Sequence, residues 1–280
     1  GAQRISGTLI VVGSEALEGL SRRRHPKLEP VCEELNCAMI SAGTHPFSTW
    51  PGQEITDQDR YRELVERVQW PAQRLMIFGL HVHVGMDSAE KSVAVFNALT
   101  GCIPQLLALS ASSPFWQGND TGLASVRSKV FETLPTAGLP ETLVNWGEFQ
   151  NFMNTLITAG ASESIREVWW DIRPHPGFGT VELRVCDGIP TMRELLAVVA
   201  FTHCAAVWLA HEYEEGRLKP LDRHWVTSEN KWRAARYFCG PRRGAGVRAP
   251  ARPRLAFRRC ARALAPRRSR HRMAVSYTHL

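Results

Sequence analysis

The sequence predicts an α+β domain built on an antiparallel sheet. Three short segments alternate apolar and polar residues with the two-residue period of a β-strand, and longer segments with helical spacing lie among them. Because hairpin-like and helical connections are mixed along the chain, this arrangement is favoured over a doubly wound parallel sheet. With 280 residues, 44% of them hydrophobic, the chain is long enough to bury a substantial core.

The first part of the chain carries the weaker signals. An apolar run at Thr8 to Val12 has no clear role, and Pro26 to Leu35 is predicted as a helix with a proline near its start. Asp59 to Val68 is predicted as a helix because its apolar residues form one stripe. Thr44 and His45 lie in a predicted turn between the two helices.

The clearest strand is Leu75 to Val84. Its alternation puts His81 and His83 on one face and valines on the other. Two imidazoles side by side suit a divalent metal or a phosphate-bearing ligand. A lone histidine on a strand is more often a hydrogen-bonded core residue, and His83 fits an orienting role equally well.

The middle of the chain is predicted to be helical around one long loop. The helical segment Ser88 to Leu109 is interrupted at Gly101 and Pro104. The polar loop Ser110 to Ser128 follows, and loops of this length in a compact domain are often functional. A further helix is predicted at Trp146 to Ala159.

Two more strands are predicted at Val168 to Arg173 and Thr180 to Cys186, joined by a turn rich in proline and glycine. The first places Arg173 on a polar face, and the second places Glu182 and Arg184 together on one face. Three strands of this kind would line a metal-and-phosphate site. The alternative for Glu182 and Arg184 is a surface ion pair, which contributes little to stability.

Other notable side chains are interpreted as structural. His175, between two prolines, is predicted as an exposed turn residue. Trp169 and Trp170 are predicted to pack against the sheet, because aromatic residues favour half-buried strands. His203 and Cys204 fall inside an apolar helix and are predicted to lie in the core.

The last predicted helix runs from Thr191 to Glu214. Thr191 is the expected N-cap, and Glu194 stands at the capping-box position. Its apolar stretch, Leu195 to Leu209, is too short to span a bilayer. We therefore interpret the segment as a buried helix and expect no membrane partner.

Residues 240–280 differ from the rest of the chain. They contain twelve Arg and no Lys, Asp or Glu, so residues 1–239 hold 22 basic against 27 acidic residues, or −5, although the whole chain carries +7. The tail fits a nucleic-acid-binding arm, a disordered extension or an out-of-frame translation of GC-rich DNA. The abrupt change in composition favours the third explanation, so nucleic acid is not the expected partner.

The seven cysteines are dispersed along the chain and form no C-x-x-C pair. This usage is typical of reduced thiols rather than of a disulfide framework or a zinc site. We therefore expect a cytoplasmic protein.

Five segments together resemble the type 2 glutamate–cysteine ligase, or carboxylate–amine ligase, family. They occur in the family's order across roughly residues 35 to 237, and five ordered motifs are far more specific than any one of them. The segments are Ala42–Phe47 (AGTHPF), Phe78–Gly85 (FGLHVHVG), Ser113–Thr121 (SPFWQGNDT), Trp170–Pro174 (WDIRP) and Phe178–Asp187 (FGTVELRVCD).

The resemblance implies an antiparallel half-barrel sheet flanked by helices, similar to the catalytic domain of glutamine synthetase. It also implies that glutamate and ATP form a γ-glutamyl phosphate, from which an amine such as that of cysteine displaces phosphate. ATP and Mg²⁺ are the implied cofactors, because magnesium neutralises charge on transferring phosphates. A homodimer is the default expectation.

Carried over to this sequence, the resemblance makes His81 and Glu182 the metal ligands. Arg184 and Arg173 would be the catalytic residues that hold phosphoryl or carboxylate oxygens, and Arg127 is a further candidate for such a clamp. The other residues assigned to substrate or ATP binding are Thr44, His45, His83, Asn119, Asp120 and Thr121.

The chain departs from the family's pattern at both ends. It lacks the N-terminal strand whose Gly-x-Glu-x-Glu motif carries further metal-binding carboxylates, and Glu15 and Glu18 do not fit that motif. The Arg-rich tail replaces the helical sequence expected after Tyr237. We therefore interpret residues 1–239 as a partial ligase catalytic domain and expect weak or no activity from this chain.

Two other functions are compatible with the residues. A His-x-His strand also occurs in metal-dependent hydrolases, which would need further His or Asp ligands to hold a catalytic zinc. Nucleic-acid binding through the tail would weaken steeply with salt.

Overall fold

The computed structural model of the protein describes residues 8–11, 29–36, 40–55, 57–219 and 223–238. Its strands are Thr8–Val11 (β1), Gly79–Gly85 (β2), Phe115–Trp116 (β3), Asn119–Asp120 (β4), Ile172–His175 (β5) and Thr180–Asp187 (β6). Among the described residues, the main sheet has the strand order β1-β2-β6-β5, and β3 and β4 form a separate small hairpin.

The described ranges also contain nine α-helices. They are Glu29–Glu34 (α1), Asp59–Val68 (α2), Trp70–Gln73 (α3), Ala89–Thr100 (α4), Ile103–Ser110 (α5), Val126–Phe131 (α6), Trp146–Thr158 (α7), Met192–Glu214 (α8) and His224–Tyr237 (α9). Short 3-10 turns occupy Trp50–Gly52, Ile165–Glu167 and Pro176–Phe178.

The α+β class and the antiparallel pairing are confirmed. β2 pairs antiparallel with β6, and β6 pairs antiparallel with β5. The short strand β1 comes from the apolar run for which no role was predicted, and it lies parallel to β2. The sheet is therefore mixed, with an antiparallel centre that carries the predicted polar faces.

The apolar face of the sheet forms the main core. Alternate residues of β2 and β6 point to this face and meet α4, α5 and α8. Trp170 stacks on Phe96 and Phe152, with ring centroids 6.0 and 4.6 Å apart, so its predicted packing role is confirmed. The strand residues of the core are Leu80, Val82, Val84, Val181, Leu183 and Val185.

The predicted break in the helical segment after Ser88 is confirmed. α4 ends at Thr100 and α5 begins at Ile103, and the two axes differ by 63°. Pro104 stands in the first turn of α5, where its missing N–H has no intrahelical partner to lose. The bend lets both helices pack on the same core cluster.

The capping of α8 also agrees with the sequence. The Thr191 hydroxyl accepts from the Glu194 amide at 3.3 Å and donates to the Glu194 carboxylate at 2.7 Å. The first bond is the N-cap bond that the Thr-x-x-Glu spacing predicts, whereas the carboxylate accepts from the Thr191 hydroxyl and not from the Thr191 amide as in a full capping box. The N-cap bond fixes the start of α8 directly after the sheet ends.

α8 is longer than its apolar stretch predicts. Its 23 residues reach a mean hydropathy of 1.5, so by length and composition it could cross a membrane, as could α4 and α5 taken together as one bent span. Seven residues of α8 are buried, and its apolar members lie in the main core with the sheet. One face of the helix therefore packs inside the protein.

Several local predictions are wrong. The long loop after Ser110 contains the β3–β4 hairpin and helix α6. The strand β5 begins at Ile172 rather than Val168, and a 3-10 turn at Ile165–Glu167 precedes it. His203 and Cys204 are only partly buried, since they lie toward the outer side of α8.

His175 is buried rather than exposed. It is the last residue of β5 and pairs with Thr180 in the β5–β6 register. Its ring stacks on Phe178 at 4.3 Å, which covers the side that a turn residue would show to water. The predictions for residues 240–280, and those for Glu15 and Glu18, lie outside the described residues.

Candidate active site

A buried carboxylate lies at the centre of the polar face of the sheet. In the strand register Glu182 stands between His83 of β2 and Arg173 of β5. His81 and Arg184 follow on the same face, as the two-residue alternation of each strand requires. All five side chains are largely withdrawn from water, and Glu182 is only 2% exposed.

Glu182 accepts a hydrogen bond from an arginine on each of its oxygens. Nε of Arg173 donates to Oε2 at 2.7 Å, and Nη1 of Arg184 donates to Oε1 at 2.6 Å. Two guanidinium groups on one carboxylate leave this part of the site with an excess positive charge. An anion such as a carboxylate or a phosphoryl group would be attracted there.

The two arginines are held differently. Nη1 of Arg173 also donates to the backbone carbonyls of Ile165 and Val168, so its guanidinium is anchored to the turn before β5. Nε of Arg184 has no hydrogen-bond partner within the described residues, although it is buried. Arg184 therefore has a buried donor left for another group.

The two histidines are neutral at ordinary pH. Burial, followed by the charge of Arg184, lowers the pKa of His81 to about 3. Burial likewise lowers the pKa of His83 to about 4, against the opposing effect of Glu182. Both imidazoles thus act as hydrogen-bonding groups, and the positive charge of the site comes from the arginines.

Each imidazole is oriented by its hydrogen-bonding partner. Nδ1 of His81 lies 3.1 Å from Oε1 of Glu182, which fits the tautomer with a proton on Nδ1. Nδ1 of His83 lies 2.9 Å from the Thr180 hydroxyl, and its Nε2 lies 3.6 Å from Glu182. With its proton on Nδ1, His81 keeps Nε2 as a free acceptor.

Glu182 remains ionised despite its burial. Burial alone would raise its pKa, but Arg184, the hydrogen bond from His81 and Arg173 outweigh it and hold the pKa well below the ordinary value of 4.5. Burial and the neighbouring Arg184 lower the pKa of Arg173 to about 10. Glu182 and Arg173 are therefore both charged at neutral pH.

Asp187 forms a second buried carboxylate centre at the other end of β6. It accepts from the Ser112 amide at 3.0 Å and from the hydroxyls of Ser113 and Ser125 at 2.6 and 2.9 Å. Burial raises its pKa and outweighs the charge of Arg127, whose Nη1 is 3.9 Å away. Asp187 thus takes its hydrogen bonds from neutral donors, where Glu182 takes them from arginines.

Arg127 lies beside this second centre and not on Glu182. Its two terminal nitrogens donate to the backbone carbonyls of Val185 and Arg184 at 3.0 and 3.1 Å. Its Nε has no partner in the described part of the chain. Both Nη groups of Arg127, which the sequence predicts to clamp a ligand, are therefore bonded to the backbone of β6.

The other predicted binding residues form a separate group. The Thr44 hydroxyl donates to the Phe115 carbonyl at 2.9 Å, and Nδ1 of His45 accepts from the Ser48 amide at 3.1 Å. The three hairpin residues are exposed or partly exposed, and their side chains make local turn bonds: Asn119, Asp120 and Thr121. The hairpin joins the turn through a bond from the Gly118 amide to the Pro46 carbonyl.

Sequence reasoning missed a buried lysine behind the site. Nζ of Lys231 on α9 forms ion pairs with Asp171, just before β5, and with Glu132. Nothing in its local sequence marks Lys231, because α9 has no apolar stripe and Asp171 is sixty residues away in the chain. The pairing ties α9 to the strand that carries Arg173.

Comparison with known proteins agrees with this arrangement of residues. A model of Glutamate-cysteine ligase family 2 matches residues 7–266, which is most of the chain. The chain belongs to glutamate–cysteine ligase family 2. All the polar residues of both carboxylate centres lie inside the matched range.

Curated relatives of this family are similar to the chain over most of its length. Proteins from Frankia alni, Thermobifida fusca and Gloeobacter violaceus are 55%, 51% and 49% identical to it over 210, 204 and 210 residues. Each carries the printed name "Putative glutamate--cysteine ligase 2", with the suffix "-1" in Frankia. The alignments cover 75%, 73% and 75% of this chain but 55%, 50% and 56% of the relatives. The chain thus spans about half the length of the curated relatives it matches.

The described residues of this family member do not fit a magnesium ion held by protein ligands. They contain no group of three or more His, Cys, Asp or Glu side chains arranged to hold a metal. Both oxygens of Glu182 already accept from arginines, whereas magnesium prefers near-octahedral oxygen ligands. The described residues of this face instead place two guanidinium groups around one carboxylate.

Proposed function

We propose that the protein is an ATP-dependent carboxylate–amine ligase that joins glutamate to an amine, with cysteine as the nominal acceptor. Family membership supports the ligase class. The observation that carries the proposal further is the ionised Glu182 between Arg173 and Arg184, because it leaves a buried excess of positive charge beside two neutral histidines. Phosphoryl transfer depends on such preorganised charge.

The proposed reaction has two steps. An oxygen of the glutamate γ-carboxylate attacks the γ-phosphorus of ATP, the bond from that phosphorus to the bridging oxygen breaks, and ADP leaves. The acceptor amine then attacks the acyl carbon of γ-glutamyl phosphate, the bond from carbon to the phosphate oxygen breaks, and phosphate leaves as the amine loses a proton. Neither step needs a covalent bond to the protein.

The roles of the site residues follow from how each is held. We assign Arg184 to the phosphoryl oxygens, because its Nε lacks a partner in the described residues. Arg173, anchored to two carbonyls, keeps Glu182 in place. An imidazole with a pKa of about 3 is a weak base, so His81 is assigned to orienting the ligand through Nε2 and not to removing a proton.

The proposal places the rest of the ligand toward the turn and the hairpin. Thr44 and His45, together with the hairpin residues Asn119, Asp120 and Thr121, would border the substrate or ATP there, and His83 would support the ligand from β2. We also propose that the whole catalytic domain is a half-barrel similar to that of glutamine synthetase. The antiparallel centre and the single polar face of the described sheet support this proposal.

The alternatives have less support. A zinc hydrolase would need a cluster of His, Asp or Cys ligands, and none is present among the described residues. Nucleic-acid binding was expected only of the tail, which lies outside those residues. The ligase proposal accounts for the buried arginines, which neither alternative requires.

The test is release of ADP that depends on both glutamate and cysteine. The assay would use the 280-residue chain and a longer protein that adds the unmatched terminal segments of the Frankia alni relative. Arg184→Gln is expected to lower kcat by about 10²-fold or more in the active protein, because it removes charge from the phosphoryl oxygens. Arg217→Gln is the matched control, since Arg217 forms exposed ion pairs at the end of α8.

Several outcomes would contradict the proposal. ADP release at the same rate without glutamate would show that glutamate is not the carboxylate substrate. Equal rates for Arg184→Gln and Arg217→Gln would show that Arg184 takes no part in the reaction. Activity in the longer protein alone would support the ligase together with the expectation that this chain is weak or inactive.

A further inference from the structure

The pairing of β2 with β6 contains a β-bulge at the site. Gly79 and Leu80 pair with Asp187 and Cys186, whereas Val82 pairs with Leu183. Two residues of β6, Arg184 and Val185, therefore face a single residue of β2. A bulge of this kind interrupts the ladder and redirects the side chains next to it.

Arg127 satisfies the backbone of this bulge. Its Nη1 donates to the carbonyl of Val185 and its Nη2 to the carbonyl of Arg184. The Arg127 side chain is buried, and its own amide donates to the Ser113 hydroxyl, which fixes the first turn of α6. A fork of two N–H groups suits two carbonyls that an extra strand residue has set close together.

Gly79 makes room for this arrangement. A Cβ atom at position 79 would lie 2.2 Å from Nη2 and 2.7 Å from Cζ of Arg127, which is far inside van der Waals contact. Gly85 lies on the same strand, and a Cβ there would have no heavy atom within 4 Å. A Cβ at position 79 would thus displace the guanidinium of Arg127, whereas one at position 85 would displace nothing.

We infer that Arg127 is a positioning residue, which holds the bulge of β6 so that Arg184 faces His81 and Glu182. The inference rests on the proposed function in one respect, since Arg184 is the group assigned to the phosphoryl oxygens. Slipping β6 by one residue would turn Arg184 toward the apolar face. Arg127 opposes that slip because only the bulged register offers its fork two carbonyls.

This role differs from the ligand clamp that the sequence predicts for Arg127. A clamp would present its terminal nitrogens to substrate, whereas both are bonded to β6. The positioning role acts through Arg184. The two roles therefore separate in kinetics: a clamp variant raises KM, and a positioning variant lowers kcat with KM nearly unchanged.

The first experiment requires no catalysis. The protein would be labelled with ¹⁵N-arginine, and the buried Nε–H signal of Arg184 assigned by its loss in Arg184→Lys. Gly79→Ala is expected to shift that signal and to speed exchange of the Arg184 amide, which donates to the Asp171 carbonyl at 2.7 Å, by about tenfold or more. Gly85→Ala should change neither the Nε–H signal of Arg184 nor the exchange rate of its amide.

Arg127→Lys serves as a second variant if Gly79→Ala does not fold. It keeps the charge but loses the two-pronged fork, so the Arg184 signal should move in the same direction. A double variant, Gly79→Ala with Arg127→Ala, should be no less stable than Arg127→Ala alone. An unmoved Arg184 signal in every folded variant would overturn the inference.

The second experiment uses turnover in whichever protein proves active. Arg127→Lys is expected to lower kcat by about 10²-fold with KM for glutamate and ATP little changed. A large rise in either KM with an unmoved Arg184 signal would make Arg127 a ligand contact and overturn the inference. If no protein turns over, the proposed function fails, and the Arg184 signal still decides whether Arg127 positions the bulge.

Discussion

Two buried carboxylates on one strand have opposite surroundings. Glu182 and Asp187 both belong to β6 and are 2% and 0% exposed. Glu182 accepts from two arginines, whereas Asp187 accepts from two serine hydroxyls and an amide. The pKa of Glu182 lies well below its ordinary value, and the pKa of Asp187 lies above its own.

The difference separates the proposed reactive site from a structural joint. Full charges around Glu182 keep it ionised and leave positive charge for an anion. Neutral donors around Asp187 satisfy its oxygens and join β6 to the loop that leads into α6. Buried polar groups of the second kind specify how elements pack, and the bulge between the two centres is where Arg127 connects them.

The largest effect should come from Glu182→Gln. The amide removes the charge between Arg173 and Arg184, and its NH₂ group faces an arginine donor. Breaking a buried ion pair by removing one partner costs about 3–5 kcal/mol. The free energy of unfolding, measured in urea, should fall by that amount at pH 7.

The pH dependence sharpens this prediction. Because the pKa of Glu182 is lowered in the folded protein, its stabilisation is full above the unfolded value of 4.5 and is lost as pH falls through the folded pKa. The difference in the free energy of unfolding between wild type and Glu182→Gln should therefore become smaller at acidic pH. Glu163→Gln, which removes an exposed partner 3.5 Å from Arg67, is the control and should change stability by less than about 0.5 kcal/mol. A difference between wild type and Glu182→Gln that does not change with pH would contradict the assignment of Glu182 as ionised.

Sequence patterns predict the Glu182 centre much better than the Asp187 centre. Strand alternation alone places His81, His83, Glu182 and Arg184 on one face, because side-chain direction follows from the two-residue period. The bulge leaves no mark in that pattern, so the contact of Arg127 with β6 could not be foreseen.

Contacts between distant parts of the chain were equally hidden. Lys231 reaches Asp171 only because α9 packs behind the sheet, and Ser113 reaches Asp187 from a segment predicted as a long polar loop. Such positions depend on how the elements pack and not on local periodicity. The burial of His175 was missed for a local reason, since Phe178 at the end of the Pro176–Phe178 turn stacks on its ring.

The next effect should come from Ser113→Ala, within the Asp187 centre. The hydroxyl donates to Asp187 at 2.6 Å and accepts from the Arg127 amide at 3.1 Å. Removing one partner of a buried hydrogen bond costs about 1–3 kcal/mol, so urea unfolding at pH 7 should show a loss of that size. Thr155→Ala on α7, whose exposed hydroxyl bonds its own helix, is the control and should be nearly neutral. Equal stability of the two variants would mean that Asp187 does not depend on its serines.

Asp187→Asn should have a smaller effect with the opposite pH trend. A raised folded pKa means that the stabilisation is full below the unfolded value of 3.8 and is lost as pH rises through the folded pKa. The variant should cost about 1–2 kcal/mol at pH 4, because the amide accepts fewer hydrogen bonds. Unfolding between about pH 3 and pH 7 should show the cost shrinking as pH rises, whereas the cost of Glu182→Gln grows up to about pH 5 and is then constant. If the costs of both variants changed with pH in the same direction, the Glu182 and Asp187 centres would not differ in charge as described.

The smallest effect should come from Thr180→Val, which deletes one hydroxyl beside the Glu182 centre. That hydroxyl lies 2.9 Å from Nδ1 of His83, whose lowered pKa keeps the imidazole neutral. A bond between neutral groups contributes about 0.5–1.5 kcal/mol, and valine favours a strand, so the loss should be below that of Ser113→Ala. Ring ¹⁵N shifts of His83 should report the freed Nδ1. A loss as large as that of Ser113→Ala would mean that His83 carries charge, and the excess positive charge of the site would then no longer come from the arginines alone.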